Sequence, residues 1–248
     1  MSCSLRGPSH EASGAPCQDS AWVDVVDTPA GGCLVAGVAD GAGSARFSDE
    51  GSSTTCKIIA ENVVSHLKTD PQLAGLQRDV VLQWCDQTRR TLQEMSRDRG
   101  CEVREFATTL CVAIVAETRS AFFQIGDGAI ILGSHDAFGV VFWPQSGEYA
   151  NSTNFLTADN FESHLECVKV ERSFTDVALL TDGMERMGLH FSSKTPYLPF
   201  FTPLLNTLRA ADDSQILGEE LRRFLQSDSV RNRSDDDKTI IVATRCAH

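Results

Sequence analysis

The sequence lacks the run of about 18 apolar residues that a membrane span needs. It has no Cys-x-x-Cys pair, and its nine cysteines are scattered at positions 3, 17, 33, 56, 85, 101, 111, 167 and 246. Neither a zinc knuckle nor a disulfide framework is expected from that spacing. Free thiols in a reducing compartment are expected instead. Several, such as Cys33 and Cys111, sit in apolar runs as small hydrophobes. Basic charge is scarce as well: 22 Lys and Arg stand against 34 Asp and Glu, a net charge of −12. Phosphate-backbone and anionic-membrane affinity come from clustered Lys and Arg, so no nucleic-acid or membrane partner is expected. Met1–Ser20 is polar and small, without the apolar core of a secretory signal, so a cytoplasmic location is expected. No repeat, low-complexity tract or Pro/Gly/Ser linker divides the chain. The expectation is a single domain over residues 1–248, acting as a monomer.

Three catalytic designs are missing too. No cysteine is followed six residues later by arginine, so the Cys-x₅-Arg phosphate cradle is absent. Neither G-x-x-x-x-G-K-[ST] nor H-E-x-x-H occurs, which argues against a P-loop nucleotidase and a zinc peptidase.

What is present begins with an apolar fraction of 42%, enough for a substantial core. Gly31-Gly32 reads as a hairpin turn between the runs Ala21–Val26 and Cys33–Ala39. Ser48-Asp49-Glu50 reads as a helix start, with Ile58, Ile59, Val63 and Leu67 inward and Pro71 as the stop. A second helix is expected over about Leu76–Arg97, from Val80, Val81, Trp84, Thr88, Leu92 and Met95 at helical spacing. Short β-type runs follow at Ala107–Ala116, Ser120–Ile125, Ala129–Leu132, Gly139–Trp143, Cys167–Glu171 and Val177–Leu180. Their close spacing implies antiparallel meanders. Pro144–Ser163 is polar and reads as a long surface loop, whereas Gly188–Pro203 fits no element clearly. A helix near Asp213–Leu225 and a buried strand at Thr239–Thr244 close an α+β layered domain.

One local design recurs: an apolar strand meets an aspartate at its end. It occurs at Val38-Ala39-Asp40-Gly41, Gln124-Ile125-Gly126-Asp127-Gly128 and Leu180-Thr181-Asp182-Gly183. Reversed versions, Cys17-Gln18-Asp19-Ser20 and Asp235-Asp236-Asp237-Lys238-Thr239, precede strands. Any one of these is an ordinary turn signal. Five in one domain would gather carboxylates at one end of the sheets, where they repel unless cations neutralise them. Oxygen-only ligands select Mg²⁺ or Mn²⁺ over Zn²⁺. Two such ions about 3.5–4 Å apart would hold a hydroxide and a phosphate ester for in-line hydrolysis.

The ordered set Gln18-Asp19, Val38-Ala39-Asp40-Gly41-Ala42-Gly43, Ala107-Thr108-Thr109-Leu110, Gly126-Asp127, Thr181-Asp182-Gly183 and Asp236-Asp237-Lys238-Thr239 resembles the type 2C metal-dependent serine/threonine protein phosphatases, and their compact bacterial branch most. The motifs run from about residue 6 to residue 244. The resemblance implies a four-layer α/β/β/α sandwich, two antiparallel sheets flanked by helices, with two Mn²⁺ or Mg²⁺ ions at one end and possible room for a third. It implies hydrolysis of phosphoserine and phosphothreonine in a protein substrate by a hydroxide bridging the ions. By position, Asp40 would bridge both ions and Gly41 would supply a carbonyl oxygen. Asp182 and Asp236 would bind one ion, and Asp127 with Asp182 a third. Asp19 matches the second residue of the family's Glu-Asp pair. Gln18 stands for the Glu, able to hold an ion-bound water, and Asp237 stands for an Asn. Asp235 is expected to be a solvated neighbour.

Two positions depart from the family pattern. Gly14 stands where many members carry a phosphate-gripping arginine, leaving Arg6 or Arg46 as candidates for that work. Ala42 stands where some members carry a histidine, leaving His10 as the candidate acid for the leaving alkoxide. The loop Pro144–Ser163 falls where members carry a variable flap, and is a candidate for substrate choice. Two other functions stay open on the sequence: a metal-dependent phosphoesterase acting on a small molecule, and a non-catalytic regulatory module of the same fold.

Overall fold

The computed structural model describes residues 1–134, 137–146, 153–211 and 214–245. The chain opens with β1 (Ser2–Leu5), α1 (Pro8–Ser13), β2 (Ser20–Thr28), β3 (Gly31–Ala39), α2 (Ser48–Thr69) and α3 (Arg78–Asp98). Four strands follow: β4 (Leu110–Val115), β5 (Ser120–Ile125), β6 (Ala129–Ser134) and β7 (Ala137–Val140). Next come α4 (Phe161–His164), β8 (Glu166–Val170), β9 (Asp176–Leu180) and α5 (Glu185–Gly188). The small hairpin β10 (Leu189–His190) and β11 (Thr195–Pro196) leads to α6 (Leu198–Ala210), α7 (Ser214–Leu225), α8 (Asp228–Arg231) and β12 (Lys238–Thr244).

Two five-stranded antiparallel sheets form, in the orders β1-β12-β9-β6-β7 and β2-β3-β4-β5-β8. Successive side chains on a strand point to opposite faces, and each strand divides its apolar residues accordingly. Leu110, Val112 and Ile114 of β4 pack outward with Ile59, Val63, Trp84 and Val81 of α2 and α3. Cys111, Ala113 and Val115 pack inward against Val177, Leu179 and Ile241 of the other sheet. Ala178, Leu180, Ile240 and Val242 turn outward again, onto Phe201, Leu205, Leu221 and Leu225 of α6 and α7. Three apolar layers thus separate four layers of structure, as expected. Burial on both faces is why β4, β9 and β12 read as continuous apolar runs.

Several boundaries differ from the sequence reading. The β2–β3 turn is Pro29-Ala30, because Gly31 already pairs with Thr28. The segment 144–163 is not simply a surface loop: residues 147–152 lie outside the described residues, but Leu156 and Phe161 are buried in the core beneath α3. Gly188–Pro203 resolves into the β10–β11 hairpin and the start of α6, which carries Pro203 in its interior. β1 and α1 have no clear sequence pattern and are set by pairing with β12 and by contacts to residues 235–237.

Candidate functional site

Strand register brings the aspartates together. Ser20 pairs with Ala39, so Asp19 and Asp40 leave β2 and β3 side by side. Leu110 pairs with Ile125, and Thr109 N–H donates to the Asp40 carbonyl (2.8 Å), so the turn at Gly126-Asp127 opens at that same end. In the other sheet Leu180 pairs with both Ile240 and Ala129. Asp182, Asp127 and the 235–237 run therefore share its end.

Hydrogen bonds fix the approach of the two sheets. Thr181 Oγ1 donates to Asp19 Oδ2 (2.8 Å) and accepts from Thr239 N–H (3.1 Å). Gly41 N–H donates to the Gln18 carbonyl (3.1 Å), and Ser52 Oγ donates to the same oxygen (2.6 Å). Two glycines permit this closeness. A Cβ at Gly41 would lie 2.6 Å from the Ser48 carbonyl oxygen, and one at Gly183 would lie 1.8 Å from that of Asp237.

The Asp40 and Asp182 carboxyls are neighbours, and each alters the other's hold on its proton. Burial, then Asp19 and Asp182, pushes the Asp40 carboxyl well above the usual range. Asp182 is also raised, by burial and then by Asp127. Asp19 and Asp127 are raised chiefly by burial. Glu185 joins them: burial, followed by the fields of Asp127 and Asp182, lifts it to about 8. Three buried acceptors here, Asp19 Oδ1, Asp182 Oδ1 and Gln18 Oε1, have no hydrogen-bond partner. Unpaired buried acceptors of this kind cost free energy unless a proton or cation meets them. The donor set is all oxygen, which fits a hard divalent ion. Among the described residues, no three His, Cys, Asp or Glu side chains are already closed into a metal-binding group.

Asp127, Asp182 and Asp236 line one end of a cleft of about 840 Å³. Asp40 reaches that wall through its contact with Asp182. Asp127 is braced by Thr153 Oγ1. Asp236 is exposed, and its Oδ1 accepts from Asp237 N–H (2.8 Å). Asp235 is exposed on the cleft rim. Asp237 is buried: Oδ1 accepts from Gly7 N–H (2.7 Å) and Oδ2 from Gln18 N–H (2.6 Å), and His10 Nδ1 stands 2.9 Å from Oδ1. That carboxylate ties the N-terminal segment, and with it Gln18 and Asp19, to the loop that carries Asp236.

The remaining candidates stand apart. Among the described residues that line the cleft, neither Arg6, Arg46 nor His10 is found. Arg6 donates to the Ala15 carbonyl (3.2 Å) and lines a separate small cavity with Glu11 and Arg231. Arg46 lies over the Phe47 ring, 5.0 Å from its centroid. The cations that do line the cleft are Arg186, Lys194 and Arg233. Sequence reasoning does not single these out. Arg186 and Glu185 could have been noticed as the helical continuation of the Asp182-Gly183 turn, but Lys194 and Arg233 carry no motif.

Comparison with known proteins agrees with this geometry. A family model described as protein phosphatase 2C matches residues 6–226. Serine/threonine-protein phosphatase 3 of Escherichia coli (strain K12) is 32% identical over 249 residues, covering 97% of this chain and 95% of that protein. The fold is similar to that of the serine/threonine phosphatase Stp1 from Staphylococcus aureus, with a TM-score of 0.66 at 12% identity over 100% of this chain and 94% of that one. The S. agalactiae serine/threonine phosphatase superposes with a TM-score of 0.67 at 14% identity, over 99% and 98% of the two chains. The chain belongs to the protein phosphatase 2C family and is, by that membership, a protein-serine/threonine phosphatase.

Proposed function

We propose that this chain hydrolyses phosphoserine and phosphothreonine in proteins with the help of two Mn²⁺ or Mg²⁺ ions held by Asp40, the Gly41 carbonyl, Asp182 and Asp236. The observation that carries the reading is the set of buried oxygens without a hydrogen-bond partner, Gln18 Oε1, Asp19 Oδ1 and Asp182 Oδ1, at the sheet end where Asp40 also stands. When bound, the ions supply Lewis acidity that makes water a nucleophile near neutral pH.

The protein's own residues do the rest. Asp40 and Asp182 present negative charge where the two sheets meet. Asp19 is aimed by Thr181 so that one oxygen is satisfied and the other is left for a ligand. The Gln18 amide oxygen is likewise free to orient a water beside it. Asp127 and Asp182, on the cleft wall, are the candidates for a third, weaker ion. His10 fits a positioning role better than that of a proton donor, because its Nδ1 faces Asp237 and it does not line the cleft. A cytoplasmic, monomeric protein is part of the same reading. The reducing compartment is supported by eight described cysteines that are all free, Cys246 lying outside the described residues. Among the described residues, no helix is long and apolar enough to cross a membrane.

Hydrolysis of a phosphoserine peptide, a phosphothreonine peptide and sugar phosphates with Mn²⁺, with Mg²⁺ and with chelator tests the proposal. Metal-dependent release of phosphate from the peptides is expected. Turnover of the sugar phosphates alone would move the reading to a small-molecule phosphoesterase, and no turnover at all to a regulatory module.

A further inference from the structure

Besides carboxylates, the cleft is lined by Arg186, Lys194 and Arg233, all exposed. Among the described residues none of the three is in an ion pair, although eight other arginines are. A chain of net charge −12 thus gathers three cations in the cleft that also holds Asp127, Asp182, Glu185, Asp235 and Asp236.

The placement of Lys194 is built into the backbone. It closes the turn of the β10–β11 hairpin at φ 52°, a left-handed conformation unusual for a residue with a side chain. Side chains lock that turn: His190 Nδ1 and Ser193 Oγ are 2.8 Å apart, and Ser193 Oγ and Thr195 Oγ1 are 2.7 Å apart. Phe191, 51% exposed, packs edge-to-face on Trp143 with ring centroids 5.5 Å apart. Lys194 Nζ lies 5.9 Å from the Trp143 centroid, a cation–π contact that holds the ammonium at the rim. Backbone strain kept in place by its surroundings is a feature of ligand clamps.

We infer that the β10–β11 hairpin, with Arg186 and Arg233, is a specificity wall that recognises acidic side chains flanking the phosphorylated residue of an extended substrate segment. The inference rests on the protein-phosphatase reading above and adds a preference to it. The phosphorylated residue lies toward Asp182 and Asp236. Carboxylates a few residues along the same segment meet Lys194, Arg186 and Arg233, and the exposed Phe191 ring supplies an apolar floor. Screening by salt should weaken such rim contacts.

The test compares two phosphopeptides with one phosphorylated core, flanked by Asp and Glu in one and by Lys and Arg in the other, with p-nitrophenyl phosphate as a third substrate. The Mn²⁺-loaded full chain is expected to favour the acidic peptide in kcat/KM by about ten-fold at low salt, and by less at high salt. Lys194→Glu and Arg233→Glu should each lower the acidic-to-basic ratio, and Lys194→Gln should lower it less. Fluorescence anisotropy with the same peptides carrying a nonhydrolysable phosphonate should reproduce the order. The ratio is read within each variant, so a loss of folded protein cancels. Equal kcat/KM for the two peptides in the wild type, or a ratio unmoved by charge reversal, would overturn this inference and leave the phosphatase reading standing. Hydrolysis of p-nitrophenyl phosphate with neither peptide accepted would overturn both.

Discussion

The backbone at Asp40 and Asp182 is tightly packed: Asp40 N–H donates to Thr109 Oγ1 (3.0 Å), and Gly183 has no room for a Cβ. Replacing either carboxyl with an amide removes charge while keeping shape. Asp40→Asn and Asp182→Asn should each reduce phosphopeptide turnover by more than about a hundred-fold, beyond what loss of an outer-shell partner costs. Asp235→Asn, on an exposed side chain, should change it little; a collapse there with normal turnover in Asp40→Asn would refute the ligand assignment. The same pair sets a pH dependence in the metal-free protein. Folding raises the pKa of Asp40, Asp127 and Asp182, so the folded chain keeps protons that the unfolded chain has released. Stability is then highest at low pH and falls as pH rises from the unfolded carboxylate value, about 4, through the raised folded values. Melting of the chelated protein should occur at lower temperature at about pH 8 than at about pH 5, and Asp40→Asn should flatten the difference. Both oxygens of Asp237 accept backbone N–H groups. Asp237→Asn would point an amide at one of those donors, and an unsatisfied buried N–H costs about 1–3 kcal/mol. Urea unfolding of the variant measures that loss.

The elements were legible where one physical signal dominated. The helical spacing of Val81, Trp84, Thr88 and Leu92 marks α3, and the β-type run Ser120–Ile125 is β5 to the residue. The strand-end aspartates were equally legible, because an Asp at the close of an apolar run is visible without any structure. Long-range partners hid the rest. β1 is four residues whose one strand partner among the described residues is β12, more than 230 positions away. α6 was obscured by prolines: one sits in its first turn, and Pro203 sits in its interior, where packing of Phe201 and Leu205 outweighs the lost hydrogen bond. The segment 144–163 reads as loop because its polar composition conceals two anchors. Leu156 is fully buried, and its N–H donates to the Thr108 carbonyl (2.9 Å), one residue from the Thr109 that fixes Asp40. Leu156→Ala should therefore cost about 2–5 kcal/mol in chemical denaturation and also lower turnover, whereas a true surface loop would tolerate the change on both counts.

For the molecule as a whole, the proposed metal ligands stand at one end of the sheets and the apolar layers between and outside them. Those layers are built from aliphatic, aromatic, methionine and cysteine side chains. Five of the eight described thiols, Cys3, Cys33, Cys85, Cys111 and Cys167, belong to those layers or pack against them, and burial raises Cys33 to about 11 and Cys85 to about 12. Thiolate is the reactive form, so alkylation of the native protein near neutral pH should be slow at these positions and leave phosphatase activity largely intact. Rapid inactivation reversed by thiol release, with circular dichroism unchanged, would contradict this. Removal of divalent ions should have the opposite pattern. Chelator takes away charges that the carboxylate end needs, but nothing that the layers need. Activity should vanish while the far-ultraviolet circular dichroism stays that of the folded protein. Returning Mn²⁺ should restore turnover and raise the melting temperature with ion concentration, because a ligand of the folded state alone stabilises it by mass action. Asp40→Asn should keep the chelated fold and lose most of the Mn²⁺-induced rise. That melting shift reads ion binding without turnover, so it separates a chain that binds ions but lacks a suitable substrate from one whose aspartates bind none.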